Sequence, residues 1–297
     1  MQEVFNRYIN HLEIERNVSP YTVRNYSTDL LDFIQFFRNK GIDSPTEVDK
    51  DGIREYLLYL NKQRIVKASI ARKLSAVRSF YRYLLRDGTI LTNPAADISS
   101  PKLDKRLPSF LTIDEVRRLL DAPDLATPQG QRDRAFLELL YASGLRVSEL
   151  VNLNLKQIDL DSHEIRVWGK GLKERLALMG EPAAGAIATY LSVGRPKLLG
   201  GKKTDSLFLN QYGKRLTERS VQSLLETYAN TANISKRVHP HVLRHTFATH
   251  LLDGGADLRV VQELLGHANL SSTQIYTHVS KSQARKVYLS AHPMARE

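Results

Sequence analysis

Between Phe5 and Leu91 the apolar side chains recur every three or four residues, as in Phe5, Tyr8, Ile9 and Leu12 and again in Leu30, Phe33, Ile34 and Phe37. One face of a helix satisfies that spacing and a strand cannot, so this half of the chain is expected to be all helix. The punctuation agrees. Ser19-Pro20 reads as an N-cap with proline at the first helical position, Ser44-Pro45 repeats the device, and Gly41 and Gly88 stand where helices should stop. Four helices of roughly 11–18 residues fit between these marks.

The pattern breaks at Asn93-Pro94, Ser100-Pro101 and Leu107-Pro108, where Lys102, Lys105 and Arg106 lie between the prolines. Proline keeps such a segment extended, so 93–108 reads as a linker between domains spanning 1–92 and 109–297. With an extended linker the two domains could lie on opposite sides of a rod-like ligand. Beyond it helix resumes, beginning with Thr112-Ile113-Asp114-Glu115 as an N-cap with acids in the first turn, then Arg132 to Ser143. The exception is Ile158 to Met179. There Ile158-Asp159-Leu160, Glu164 to Trp168 and Arg175 to Leu178 alternate as strands do, which predicts a small three-stranded antiparallel sheet. Helices continue through Tyr288, with Gly194 to Gly201 and Gly254-Gly255 as breaks. The fold class is mainly α: a helical N-terminal domain and a mostly α C-terminal domain containing that sheet.

A formal net charge of +11 points to a polyanionic partner, nucleic acid first. Cations exceed anions by five in residues 1–106 and by six in 107–297, as expected if both halves touch it. The competing reading of the charge alone is a basic solvated surface. The absence of cysteine excludes disulfides, thiolate metal sites and cysteine nucleophiles. No stretch approaches about 18 uninterrupted apolar residues and the N-terminus lacks a secretory pattern, so the protein is expected in the cytoplasm, away from membranes.

Two segments of the first half concentrate the charge. One runs from Arg16 to Arg24 around Ser19, Tyr21 and Thr22; the other runs from Lys62 to Arg86 and includes Arg72, Lys73 and Arg78. In the second, Ile70, Leu74, Val77 and Tyr81 form an apolar stripe and the basic side chains take the other faces. A helix laid along a phosphate backbone would look like this, with Ser and Thr as neutral donors. Ser19, Thr22, Arg24, Arg72, Lys73 and Arg78 are therefore the candidate DNA contacts. A solvated helix face is the plainer alternative.

Five short segments of the second half could carry chemistry: Ser143-Gly144-Leu145-Arg146-Val147-Ser148-Glu149-Leu150, Gly169-Lys170-Gly171, His241-Val242-Leu243-Arg244-His245, Leu265-Gly266-His267, and Tyr276 nine residues later. Each alone is weak, since a Gly-Lys-Gly turn is common and a lone tyrosine usually packs. His241 and Arg244, three apart, share a helix face and would suit one phosphate. The histidines at 239, 241, 245 and 250 could instead be surface and core, or a metal site. A zinc peptidase, however, needs Glu directly after the first His of such a pair, and Arg244 inside the site would repel a cation.

Taken together and in this order, the segments resemble the tyrosine recombinases, the family of the phage integrases, and most closely its Xer branch. The resemblance covers nearly the whole chain, including Ser19-Pro20-Tyr21-Thr22 and the tail Ala291-His292-Pro293. It implies Tyr276 as nucleophile, Arg146 and Arg244 as a phosphate clamp, Lys170 as general acid, His241 as a proton-handling and phosphate-contacting residue, and His267 as a further donor. Glu149 would orient Arg146. The position of His267 is Trp in some members. The resemblance further implies a helical N-terminal DNA-binding domain, a catalytic C-terminal domain, and a tail after Val279 that docks on a neighbouring protomer. Its substrate would be double-stranded DNA with a specific recombination site, held by a homo- or hetero-tetramer. In the Xer branch the task is resolving chromosome dimers before cell division, with a DNA translocase as activator.

Chemistry supports the set. Attack on a phosphodiester builds charge on two non-bridging oxygens, and guanidinium matches that geometry with paired charged hydrogen bonds. A tyrosine hydroxyl, with a reference pKa of about 10, needs nearby cations to favour the phenolate. The leaving 5′ oxygen needs a proton, and a lysine among arginines becomes a better acid. No metal or other cofactor is then required, and the chain has no Walker-type loop. Three other readings share some of these features: an integrase or resolvase of a mobile element, a type IB topoisomerase, and a basic DNA-binding protein in which Tyr276 only packs.

Overall fold

Four helices carry the apolar period of the first half in the computed structural model, which describes residues 1–16, 18–102, 109–168, 174–266 and 281–295. They are α1 (Gln2–Asn10), α2 (Pro20–Arg38), α3 (Lys50–Lys62) and α4 (Lys67–Arg86). Ser19 caps α2, its hydroxyl accepting from the Thr22 amide at 3.2 Å, with Pro20 in the first turn. Ser44-Pro45 behaves otherwise. It heads only a three-residue 3-10 turn, and α3 starts five residues later under Asp49, whose carboxylate accepts from the Gly52 amide at 2.7 Å. A cap followed by proline thus marks a helical turn without fixing how far it propagates.

The chain divides into two units, Met1–Arg106 and Leu107–Glu297. In the first, the expected stripes point inward: Leu30, Phe33, Ile34 and Phe37 of α2 and Ile70, Leu74, Val77 and Tyr81 of α4 are all buried, with Tyr56 of α3 set edge-on against Phe33. Each such side chain contributes roughly 1.5–3 kcal/mol by leaving water. The unit also takes in residues that the prolines mark as linker. Ala95 and Ile98 are buried in its core, and Arg78 ties the segment down through the Ile98 carbonyl and, at 2.9 Å, the Ser100 hydroxyl. Residues 103–108 lie outside the described residues.

The second unit is built around α6 (Pro128–Ser143), which is buried over most of its circumference, from Ala135 through Tyr141. A helix buried on nearly all sides belongs in the middle of a domain, and its buried charges are paired there, Arg132 with Asp133 at 2.6 Å and Glu138 with Arg134 at 2.8 Å. Before it stands α5 (Ile113–Asp121), started by a reciprocal cap in which Thr112 accepts from the Glu115 amide and Glu115 accepts from the Thr112 amide. After it come α7 (Val147–Val151) and the expected sheet, β1 (Ile158–Asp159), β2 (Glu164–Trp168) and β3 (Glu174–Leu178), antiparallel in the order β1-β2-β3. Ile165 and Val167 of β2 and Ala177 of β3 face the core, so alternation resolves into one buried face.

Helices α8 (Glu181–Thr189) and α9 (Arg195–Leu199) are joined through a π-type turn at Tyr190–Gly194, so the break expected from Gly194 onward begins only at Gly200. Gly194 serves close packing instead. A Cβ there would lie 2.9 Å from the Gln131 side-chain oxygen and 3.1 Å from the Pro128 carbonyl. The unit is completed by α10 (Glu218–Thr231), α11 (Pro240–Asp253), α12 (Leu258–Leu265) and α13 (Lys281–Ala291). Tyr288 and Ala291 of α13 are buried with Phe247, Leu251 and Val261, and Met294 and Ala295 are buried beyond it. The tail expected on a neighbouring protomer is here seated on its own domain. Among the described residues no helix is long and apolar enough to cross a membrane.

Candidate active site

The end of α6 sets the first element of the site. Gly144 closes the helix in the left-handed region, at φ +57°, where a Cβ would meet the Phe247 ring at 2.5 Å. The chain then turns through buried Leu145 and places Arg146 immediately before α7. Glu149, in the first turn of α7, holds Arg146 twice: Oε2 accepts from its backbone N–H at 2.8 Å and Oε1 from Nη1 at 2.9 Å. Only 5% of the Glu149 side chain is exposed, against 38% for Arg146, so the carboxylate is the fixed member and the guanidinium tip meets solvent.

The other fixed point is the C-terminal end of α12. Its last carbonyls lack intrahelical donors and carry the negative end of the helix dipole. Three arginines supply what is missing. Arg175 Nη1 donates to Leu264 at 3.1 Å, Arg244 Nη2 to Leu265 at 2.6 Å, and Arg146 Nη2 to Gly266 at 3.4 Å, the last a long contact. Arg244 also donates Nη1 to the Gly144 carbonyl at 2.6 Å. The guanidinium groups of Arg146 and Arg244 therefore converge on one spot, fixed from α7, α11 and α12 at once.

Three guanidinium groups against one carboxylate leave the cluster strongly positive. Burial, reinforced by Arg146 and opposed by Glu149, pushes the Arg244 pKa down to about 10. It remains charged at neutral pH. The Arg175 pKa is lowered as well, first by burial, with Glu149 opposing and Arg146 adding to the shift. Such a site is short of anions and suits a phosphate, whose oxygens would accept the donors left over.

His241 sits exposed in the first turn of α11, three residues before Arg244. The neighbouring histidines go to different places. His239 precedes α11 without a side-chain capping bond, its ring 6.1 Å from that of His241, His245 lies edge-on to Phe110, and His250 is buried with Nδ1 2.9 Å from the Tyr141 hydroxyl. Lys170, His267 and Tyr276 lie outside the described residues. Their chain neighbours are described: Trp168 pairs with Glu174 across the ends of β2 and β3, and Gly266 is the residue before His267. Arg175 was not among the residues the motifs single out. The available signal was a single arginine heading the apolar run Leu176-Ala177-Leu178, four residues past Gly171.

Residues 109–283 match the model of the phage integrase family, and residues 5–88 match the phage integrase N-terminal SAM-like domain. The chain belongs to the phage integrase family. The tyrosine recombinase XerC of Pelotomaculum thermopropionicum is 45% identical over 300 residues, covering 98% of each chain. The tyrosine recombinase XerD of Staphylococcus epidermidis is 42% identical over 295 residues, covering 99% of this chain and all of the relative. Among solved structures, the XerH site-specific recombinase bound to palindromic difH substrate, a post-cleavage complex, superposes with a TM-score of 0.71 at 25% identity, over 92% of this chain and 77% of that one.

In the SAM-like domain of this integrase-family chain, the six candidate DNA contacts have unlike surroundings. Arg24 is exposed on α2. Ser19 and Thr22 bond each other at 2.9 Å as part of the helix cap. Arg72 pairs with Asp29, a residue with no exposed surface. Lys73, itself 9% exposed, pairs with Asp29 at 3.2 Å and Asp32 at 2.5 Å, so its observed partners are carboxylates of α2. Arg78 holds residues 98–100, as described above. A basic run in sequence does not distinguish a charge held for a ligand from one neutralised by its own fold.

Proposed function

We propose that this member of the phage integrase family is a site-specific tyrosine recombinase acting through Tyr276, Arg146, Arg244, Lys170, His241 and His267. The observation that carries the reading is the pair of guanidinium groups fixed by Glu149, Gly144 and Leu265 on one spot, with His241 three residues ahead of Arg244 on α11. Arg146 and Arg244 would bind the non-bridging oxygens of the scissile phosphate. The Tyr276 oxygen attacks phosphorus as its proton passes to His241, and the bond from phosphorus to the 5′ oxygen breaks while Lys170 protonates that oxygen. The product is a 3′-phosphotyrosyl diester and a free 5′-hydroxyl. Attack by the 5′-hydroxyl of a second strand reverses the step and exchanges strands. Two rounds pass through a Holliday junction.

The relatives named XerC and XerD, similar over nearly the full length, support the Xer task of resolving chromosome dimers, with double-stranded DNA bound by a tetramer of one or two recombinases and a DNA translocase as activator. The basic charge of both units suits DNA. The test is to select the protein's binding site from genomic fragments, mix two labelled duplexes carrying it, and look for four-way junctions. Junctions and exchanged arms are the expected products. Relaxation of supercoils by a monomer, without junctions, would contradict the reading in favour of a topoisomerase.

A further inference from the structure

Arg175 reaches two of the groups that hold the proposed phosphate clamp. From β3 its Nη2 donates to Glu149 Oε2 at 2.8 Å, and its Nη1 donates to the Leu264 carbonyl at 3.1 Å. Glu149 Oε2 is the oxygen that also takes the Arg146 backbone N–H. Gly266, at φ +65°, lies so close over the Arg175 stem that a Cβ would stand 2.6 Å from Cδ and Nε. One side chain therefore touches the carboxylate under Arg146 and the helix end under Arg244.

Only 14% of the Arg175 side chain is exposed, its two terminal nitrogens are engaged, and its Nε is buried without an acceptor among the described residues. Its terminal nitrogens are taken up by Glu149 and Leu264, which sets it apart from the half-exposed Arg146. Burying a guanidinium is costly, and an unbranched apolar side chain would fill the same space without that penalty. The arginine is explained by what its donors hold. It shares the charge of Glu149, so that Arg146 is not fully neutralised by its own support, and it closes the end of α12 from which the chain runs on to His267.

We infer that Arg175 is a positioning residue for DNA cleavage, fixing Arg146 through Glu149 and Arg244 through the end of α12. This rests on the assignment of Arg146 and Arg244 to the scissile phosphate. It predicts an effect on the chemical step and little on DNA binding, because a small displacement of a clamp can cost about 10²-fold in rate.

The experiment is single-turnover cleavage of a nicked duplex carrying the recombination site, at saturating protein, with affinity and thermal melting measured alongside. Wild type is compared with Arg175→Met, Arg175→Lys, Glu149→Gln, the Arg175→Met/Glu149→Gln double variant and Arg146→Ala. Arg175→Met should cleave about 10²-fold more slowly with affinity within about threefold of wild type. Arg175→Lys should recover part of the rate. In the Glu149→Gln background the loss from Arg175→Met should shrink to less than about a third of its value, because the shared route is already broken. If Arg175→Met does not fold, the lysine variant carries the same comparison. Cleavage at the wild-type rate by a folded Arg175 variant, or losses that simply multiply in the double variant, would overturn the inference. An Arg146→Ala variant that cleaves normally removes the assignment on which it rests; an inactive Arg146→Ala beside a fully active Arg175→Met overturns the inference alone.

Discussion

Arg244 Nη2 stands 2.6 Å from the carbonyl oxygen of Leu265, the last residue of α12, while Nη1 of the same guanidinium stands 2.6 Å from the Gly144 carbonyl at the end of α6. One planar group thus fixes the ends of two helices and the place of its own positive charge. A lysine concentrates its donors on one nitrogen and lacks the planar fork that reaches the two carbonyls from separate nitrogens. Arg244→Lys should therefore lower single-turnover DNA cleavage by about 10²–10³-fold, as loss of an oxyanion donor typically does. It should also lower the melting temperature, because two partly buried carbonyls lose a partner.

Gly266 and Gly255 offer a matched comparison. Both have positive φ, +65° and +88°, but a Cβ on Gly255 meets nothing within 4 Å, whereas on Gly266 it meets Arg175. Gly255→Ala should lose about 1–2 kcal/mol, the usual cost of the left-handed region. Gly266→Ala should lose more, and it alone should slow cleavage. Denaturant unfolding and single-turnover cleavage of the two variants check this.

The tail carries an acid-sensitive joint. His292 is buried against Tyr141, Tyr288 and Phe247, and its Nδ1 accepts from the Met294 amide, which requires the neutral ring on that side. Burial, opposed by a backbone hydrogen bond at Tyr141 and helped by the neighbouring His250, pushes its pKa down to about 4 from 6.5. His250 is lowered too, by burial. Because the unfolded chain takes up these protons at higher pH than the folded one, their contribution to stability is complete above about pH 6.5 and is lost as pH falls toward 4. For His292 alone the loss is about 3 kcal/mol. Urea unfolding between pH 7 and 4 should show this slope, and His292→Gln should flatten it.

Lys73 and Arg24 should separate folding from DNA binding. Lys73 lies between Asp32 at 2.5 Å and Asp29 at 3.2 Å, and Asp29, which has no exposed surface, also pairs with Arg72, so Asp29→Ala takes one of two carboxylates from Lys73 and the partner of Arg72. That should destabilise the first unit by roughly 1–3 kcal/mol. Arg24→Ala, at an exposed position, should leave melting unchanged, weaken DNA binding, and reduce the slope of log affinity against log salt by about 0.9. Equal salt slopes for Arg24→Ala and wild type would remove Arg24 from the interface.

Much of this molecule was legible in its sequence because period and punctuation are local. The stripes of α2 and α4, the cap at Ser19, the reciprocal cap at Thr112 and the three strands all follow from neighbours a few residues apart. What could not be read depends on contacts distant in the chain. Gly194 looks like a break until Gln131 and Pro128 are seen packed against it, and nothing in the basic run around Lys73 reveals that Asp29 and Asp32 lie beside it. The site divides the same way. Arg146 and Arg244 stand in short motifs, whereas Arg175 is an ordinary strand residue until its hydrogen bonds to Glu149, 26 residues away, and Leu264, 89 residues away, are known.

The proposed strand exchange stands on Tyr276 as the nucleophile. The direct measurement is to incubate wild type and Tyr276→Phe with a nicked duplex carrying the recombination site, without divalent metal, denature, and look for DNA attached to protein. Wild type should give a covalent adduct at the 3′ side of the break, and Tyr276→Phe should bind the same DNA with equal affinity and give none. An adduct that persists in Tyr276→Phe, or tight binding by wild type that never yields one at a nicked site, would contradict the account.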